Sequence, residues 1–265
     1  MSEKCPAGIS REALMEGRVQ KLAQSRDGSQ SSVMSLEELQ ASRRSFLPDN
    51  YSGPDIWIFG YGSLIWNPLV DYESKCSAQL FGYHRRFCLW TRIGRGSPDY
   101  PGLVLALDRG GSVSGIAFKI PAAKAPSELD MLWRREMLNN SYNPRFVTIH
   151  TSEGKKQALT FVIKRSSPAF ADKMSDERAS EIIARASGFV GPCAQYLLET
   201  EKALCDVGIA DKHMSKLASM VKKKMAAIAR DEPTSPKPPS HKTVFSSASF
   251  VARCPQAHVS YRGQP

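Results

Sequence analysis

Long apolar runs are missing from this chain: nowhere do about eighteen apolar residues follow one another, the length a membrane-spanning helix needs. The opening residues, Met1 to Gly8, also lack the basic and apolar regions of a secretory signal, so a soluble cytoplasmic protein with no membrane partner is expected. Cysteine is sparse. Six residues (Cys5, Cys76, Cys88, Cys193, Cys205 and Cys254) lie far apart with no C-x-x-C pair, which disfavours a zinc ribbon or a thioredoxin-type motif and leaves reduced, packing thiols. Clustered positive charge is missing as well, although the net charge is +10 and the isoelectric point about 9.4. The longest basic runs, Arg43-Arg44, Arg85-Arg86, Arg134-Arg135 and Lys222-Lys223-Lys224, are short and fall in different predicted elements. No recognised binding motif accompanies them, so nucleic acid is not an expected partner. A basic surface would equally attract a small anionic substrate.

What is present is enough apolar material, 42% of 265 residues, for one substantial core with extensions. Composition divides the chain into residues 1–50, residues 51–230 and a Pro/Ser-rich tail, 231–265, whose lack of periodicity predicts disorder. The middle part is organised around Asp55 to Pro68, D-I-W-I-F-G-Y-G-S-L-I-W-N-P. Asp55 to Phe59 has the aromatic and β-branched composition of a buried strand. Gly60-Tyr61-Gly62-Ser63-Leu64 follows, and glycine at alternate positions permits φ > 0 and close backbone approach, so that N–H groups can converge on an anion. An ordinary glycine-rich turn would read the same way. A dinucleotide loop would not, because the third glycine of that fingerprint is absent and Pro68 argues against a long helix there.

Two helices are predicted in the first part, Ile9 to Gln24 and Leu36 to Phe46, separated by the polar run Ser25 to Ser32. The second opens on a capping-box spacing, Ser35 with Glu38, and places Leu36, Leu39 and Arg43 on one side. Cys76 to Trp90 reads as a long strand bent at Gly82. Alternation puts Arg85 and Arg86 on opposite faces, so one of them points inward unless both sit at a strand end. Thr91 to Gly102 is a loop and a candidate lid. Leu103 to Asp108 and Val113 to Ile120 read as a hairpin around Arg109-Gly110-Gly111-Ser112, and Arg145 to Thr151 with Gln157 to Ile163 as another. Between the hairpins lies a helix, Ser127 to Leu138. Three more follow: Ser175 to Ala186, Pro192 to Val207, and Lys212 to Ala229, whose Met214, Leu217, Val221 and Met225 form an apolar stripe. This order predicts an α+β protein with a strongly curved or closed sheet.

On the helix Ser127 to Leu138 the apolar face carries Leu129, Leu132, Trp133 and Met137, and Glu136 falls on it too. A carboxylate there is either paired, with Arg134, Arg135 or Arg145, or raised in pKa toward the range a general acid/base needs.

These residues together carry a resemblance. F-G-Y-G-S-L-I-W-N-P, Gly82-Tyr83-His84-Arg85-Arg86-Phe87 and Trp133-Arg134-Arg135-Glu136-Met137, in this order and spacing, resemble the ChaC-type γ-glutamylcyclotransferases over roughly Ile9 to Met225. The resemblance implies a small closed β-barrel with flanking helices, residues 51–230 forming a γ-glutamylcyclotransferase-like domain behind an amino-terminal helical extension. It implies cleavage of glutathione to 5-oxoproline and cysteinylglycine, without metal or cofactor. Glu136 matches the catalytic glutamate, and Tyr61, Gly62, Ser63 and Leu64 match the substrate loop. Arg85 and Tyr196 complete the expected substrate-binding set, with a packing role for Tyr196 as the alternative. Two departures stand out: Cys193 where many relatives carry asparagine, and Leu103, after Pro101-Gly102, where some carry arginine. Both are expected to bear on selectivity. Two other readings stay open, a cyclotransferase for other γ-glutamyl peptides or amines, and a non-catalytic binding or regulatory protein linked to cation transport.

Overall fold

The computed structural model describes residues 9–26 and 33–231. Its centre is a closed barrel of five strands, β1 (Ile56–Gly60), β2 (Ser74–Thr91), β3 (Gly102–Ile120), β4 (Tyr142–Thr151) and β5 (Gly154–Ile163), in the order β1-β3-β2-β4-β5. Parallel pairing of β1 with β5, Trp57 opposite Ala158 and Ile58 opposite Leu159, closes the ring. Ile58 and Phe59 are both fully buried, so β1 is covered on its two faces, as its unbroken apolar run predicts.

The antiparallel pair β2 and β3 runs from Ser74 opposite Lys119 to Thr91 opposite Gly102. The hairpin expected at Arg109 to Ser112 is not formed, because the whole segment is one continuous strand. Gly110 and Gly111 adopt φ of 99° and 71°, Gly82 facing them adopts 84°, and the register slips between Phe81 and Tyr83. Glycine's access to positive φ is used here to bend a paired ribbon rather than to reverse the chain. The second hairpin, β4 with β5, forms as expected and turns at Thr151 and Gly154.

Helices cover the barrel on two sides. The expected helix Ile9 to Gln24 is two helices, α1 (Arg11–Met15) and α2 (Arg18–Arg26), broken where Gly17 takes φ 68°. Most of the polar run Ser25 to Ser32 and all of the tail after Asp231 lie outside the described residues. In α3 (Leu36–Phe46) the capping box is made in both directions: Ser35 Oγ accepts from the Glu38 amide at 3.1 Å, and the Glu38 carboxylate accepts from the Ser35 amide at 2.7 Å. Arg43 on its inner side is buried and donates to Asp130 Oδ1 at 2.7 Å and to the Leu47 carbonyl at 2.8 Å. The helix α4 (Ala125–Glu136) starts two residues before the expected Ser127. Pro126 occupies its first turn, and the Ser127 hydroxyl donates back to the Lys124 carbonyl instead of capping.

On the other side stand α5 (Asp176–Arg185), α6 (Cys193–Asp206) and α7 (Lys212–Asp231). Met214, Leu217 and Val221 are buried core residues of α7, whereas Met225 is exposed. One apolar cluster joins the barrel to α5, α6 and α7; a second joins it to α1, α3 and α4, with Trp133 at full burial. Among the described residues no helix is long and apolar enough to cross a membrane.

Candidate active site

Where β1 ends, the chain enters a short 3-10 turn, Ser63–Ile65, whose first hydrogen bond runs from the Ile65 amide to the Gly62 carbonyl at 2.9 Å. The loop glycines are needed for space, not for positive φ. A Cβ on Gly60 would lie 3.0 Å from Leu64 Cβ and 3.2 Å from the Phe118 ring, and one on Gly62 would lie 3.2 Å from the Tyr196 hydroxyl. Neither glycine has a φ in the left-handed region. The close approach of strand, loop and α6 therefore accounts for both.

A cavity of about 210 Å³ opens beside this loop and is lined by Tyr61, Gly62, Ser63 and Leu64, by Arg135 and Glu136 at the end of α4, and by Tyr196 of α6. The helical spacing that put Glu136 on the inner face is correct, since its side chain is only 15% exposed. Arg135, not Arg134 or Arg145, is its ion-pair partner, with Nε 3.0 Å from Glu136 Oε1. Arg135 also donates to Ser63 Oγ at 2.8 Å and to the Asn67 carbonyl. One guanidinium thus ties the carboxylate to the glycine loop. Burial pushes the Glu136 carboxyl above its ordinary pKa, and the Arg135 charge opposes this only in part. Arg134 points elsewhere, donating to the Leu14 and Met15 carbonyls at 3.3 Å.

Three tyrosines surround the carboxylate. Tyr61 donates to the Phe161 carbonyl at 3.1 Å and Tyr142 to the Leu105 carbonyl at 3.3 Å. Burial raises the phenol pKa of Tyr61, Tyr142 and Tyr196, and the negative charge of Glu136 adds to it, so all three are neutral donors at physiological pH.

Arg85 is not brought to this cavity. It is the inward member of its pair, buried at 9% exposure, but it sits behind the loop, donating to the Tyr61 carbonyl at 2.6 Å and pairing through Nε with Asp211 at 2.9 Å. Alternation gives the face of a strand and not the position along the barrel axis, which explains why sequence reasoning put it with the substrate. Arg86 pairs with Asp108 at 2.9 Å.

The two departures, Cys193 and Leu103, meet each other: both are fully buried, and Cys193 Sγ donates to the Leu103 carbonyl at 2.9 Å. Neither lines the cavity. Burial raises the Cys193 thiol to about 12, so it is an unreactive packing group.

Sequence reasoning missed Tyr142, Asn139 and Arg95. Nothing in the periodicity of α4 or β4 marks Asn139, in the connection after α4, or Tyr142, the first residue of β4. Among the described residues no group hydrogen-bonds the buried Asn139 Oδ1. Arg95 lies in the expected lid, Thr91 to Gly102, which is pinned and not free: Arg95 donates to Gln195 Oε1 at 3.0 Å and the Pro192 carbonyl at 3.1 Å, and the Val190 amide donates to the Gly94 carbonyl at 2.9 Å. Among the described residues no three His, Cys, Asp or Glu side chains cluster as metal ligands would.

The ChaC-like protein family matches residues 56–224. A glutathione-specific gamma-glutamylcyclotransferase of Escherichia coli (strain K12) is 35% identical over 74% of this chain and 86% of its own length. Glutathione-specific gamma-glutamylcyclotransferase 1 of Homo sapiens is 30% identical over 66% and 82%. In fold, the chain resembles a crystal structure of a γ-glutamyl cyclotransferase specific to glutathione from yeast, with a TM-score of 0.59 at 24% identity, covering 64% of this chain and 97% of that one.

Proposed function

The chain belongs to the ChaC-like protein family, and from that premise we propose that it cleaves glutathione to 5-oxoproline and cysteinylglycine, with Glu136 as general acid/base. It is a γ-glutamylcyclotransferase, and so a lyase: the relatives of 35% and 30% identity carry that activity in their names. The observation that carries the role of Glu136 is a buried carboxylate of raised pKa sharing one cavity with the Tyr61 to Leu64 loop.

The substrate supplies its own nucleophile. Its α-amino nitrogen attacks the γ-carbonyl carbon, a C–N bond closes the five-membered lactam, and the γ-amide C–N bond breaks to release the amine of cysteinylglycine. No water is consumed. The protein must fold the glutamyl chain so that nitrogen and carbonyl meet, and proximity of this kind supplies much of the rate. It must also move protons: the α-ammonium loses two on becoming the lactam N–H, and the leaving nitrogen gains two and departs as an ammonium. Glu136, as carboxylate, takes each from the α-nitrogen in turn and hands it to the leaving nitrogen, a task that a carboxyl tuned toward neutral pH performs best. Arg135 acts as a positioning residue, because it holds Glu136 and Ser63 in one frame.

Purified protein incubated with glutathione is expected to yield 5-oxoproline, equally with and without EDTA. Glu136→Gln keeps the shape but cannot accept the proton, and kcat is expected to fall by at least about a hundredfold. Glutathione should still raise the melting temperature of the variant. Turnover by Glu136→Gln close to that of the parent would end the assignment.

A further inference from the structure

The family match begins at residue 56, yet two residues before it, Ile9 and Val19, line the cavity. They are there because the amino-terminal helices are fastened to the barrel at several points. Arg11 donates to both carboxylate oxygens of Glu128, at 2.8 and 2.7 Å, and to the Leu69 carbonyl at 2.8 Å. The Ile9 carbonyl accepts from Asn67 Nδ2 at 3.2 Å. Arg134 holds the end of α1, and the Met34 amide donates to the Leu138 carbonyl at 2.9 Å. These contacts make the extension a fixed wall.

That wall is apolar. Ile9, Val19, Leu138 and Phe189 belong to one cluster, and Leu138 and Phe189 join Ile93 in an adjoining one built on Ala23 of α2. Ile9, Leu138 and Phe189 remain partly exposed, and they line the same cavity as the polar Ser63, Arg135 and Glu136. The cavity therefore joins polar groups suited to a γ-glutamyl moiety with apolar surface that the thiol-bearing side chain of glutathione is too small to cover.

We propose that this apolar wall is a subsite for a side chain on the residue that follows the γ-glutamyl group, and that the protein accepts glutathione carrying an apolar substituent on sulfur. The inference rests on the cyclotransferase reading above. The reaction is unchanged in its bonds: the lactam C–N bond forms, the γ-amide C–N bond breaks, the α-ammonium gives up two protons that the leaving nitrogen takes up, and the products are 5-oxoproline and an S-alkyl-cysteinylglycine. The substituent stays on sulfur, and no oxidant, reductant or water takes part. Each methylene that moves from water onto the wall should raise kcat/KM about fourfold until the space is filled.

The test is kcat/KM for glutathione and for S-methyl-, S-propyl- and S-butylglutathione, read as 5-oxoproline, in the full chain and in Ile9→Ala and Phe189→Ala. A rise of at least about tenfold from methyl to butyl is expected, and a shallower rise in both variants. Each slope is taken within one preparation, so the folded fraction cancels. A flat or falling series in a protein that turns over glutathione overturns the subsite and leaves the cyclotransferase reading intact. A rising series that both variants reproduce moves the subsite away from this wall and overturns the inference. If no member of the series, glutathione included, yields 5-oxoproline, the cyclotransferase reading fails and the inference falls with it.

Discussion

Glu136 is an acid whose pKa is raised by burial, and the sign of that shift fixes how stability should respond to pH. In the unfolded chain the group titrates near 4.3. In the folded protein it titrates higher, so its neutral form is the one the fold favours. The contribution is fully present below the unfolded pKa and is lost as pH rises through the folded one. Glu136→Gln mimics the neutral form at every pH. The variant is therefore expected to match the parent in melting temperature at about pH 4 and to exceed it at pH 7, by the amount the burial exceeds the Arg135 attraction. A variant less stable than the parent at pH 7 would mean that Arg135, left without its partner, dominates instead. The residue scale also shows how far sequence reasoning reaches. Helical spacing sufficed for Glu136, because the face of a helix that packs on a core is set by its apolar stripe alone. It could not choose Arg135 over Arg134, since adjacent residues point about 100° apart and both had partners to find. The choice was made by the loop carbonyl of Asn67 on one side and the carbonyls ending α1 on the other.

Among the elements, the loop after β1 is the one on which the proposed reaction depends most. Gly62 faces the Tyr196 hydroxyl, which a Cβ would approach to 3.2 Å, so a β-branched side chain must displace either the tyrosine or the loop. Gly62→Val is expected to lower turnover at least about a hundredfold by misplacing the reacting groups, while far-ultraviolet circular dichroism stays that of the parent. Its melting temperature should drop by a few degrees, the size expected for a cost of about 1–3 kcal/mol from overpacking. Parent-like turnover would place the cradle elsewhere. The chain order of strands and helices was legible, and the capping box of α3 was legible to the residue. Gly110-Gly111 was not: two glycines between apolar runs signal a turn, and only the partner strand, bent at Gly82 in the same place, converts that signal into a bend. Such pairing is a long-range fact that a local pattern does not contain. The break of the first helix at Gly17 is the opposite case, a local glycine signal that the expected single helix Ile9 to Gln24 left unused.

At the scale of the whole molecule, the question is what the segments outside the family match contribute. The sequence after Asp231 carries no apolar periodicity, and its removal is expected to leave melting temperature and turnover nearly unchanged. The amino-terminal extension should behave in the opposite way. Leu14, Val19, Leu39 and Leu47 are buried in the same cluster as Trp133, and each such side chain stabilises by about 1.5–3 kcal/mol. Four of them approach the roughly 5–15 kcal/mol of net stability that a domain possesses. Deleting the extension would also strip Glu128, whose side chain is 4% exposed, of its Arg11 partner, and an unpaired buried carboxylate costs about 3–5 kcal/mol more. A chain beginning at residue 50 is therefore expected to lose its cooperative thermal transition or to melt more than about 10 °C below the parent. Measured beside the tail deletion, the result is a contrast between the loss of 49 residues at one end and of 34 at the other. If the chain lacking the extension melts within a few degrees of the parent, then α1, α2 and α3 are appended to the barrel rather than part of its core. The buried Arg43, held between Asp130 and the Leu47 carbonyl, argues for the core, because a guanidinium is desolvated at that cost only where the surrounding structure forms as one unit.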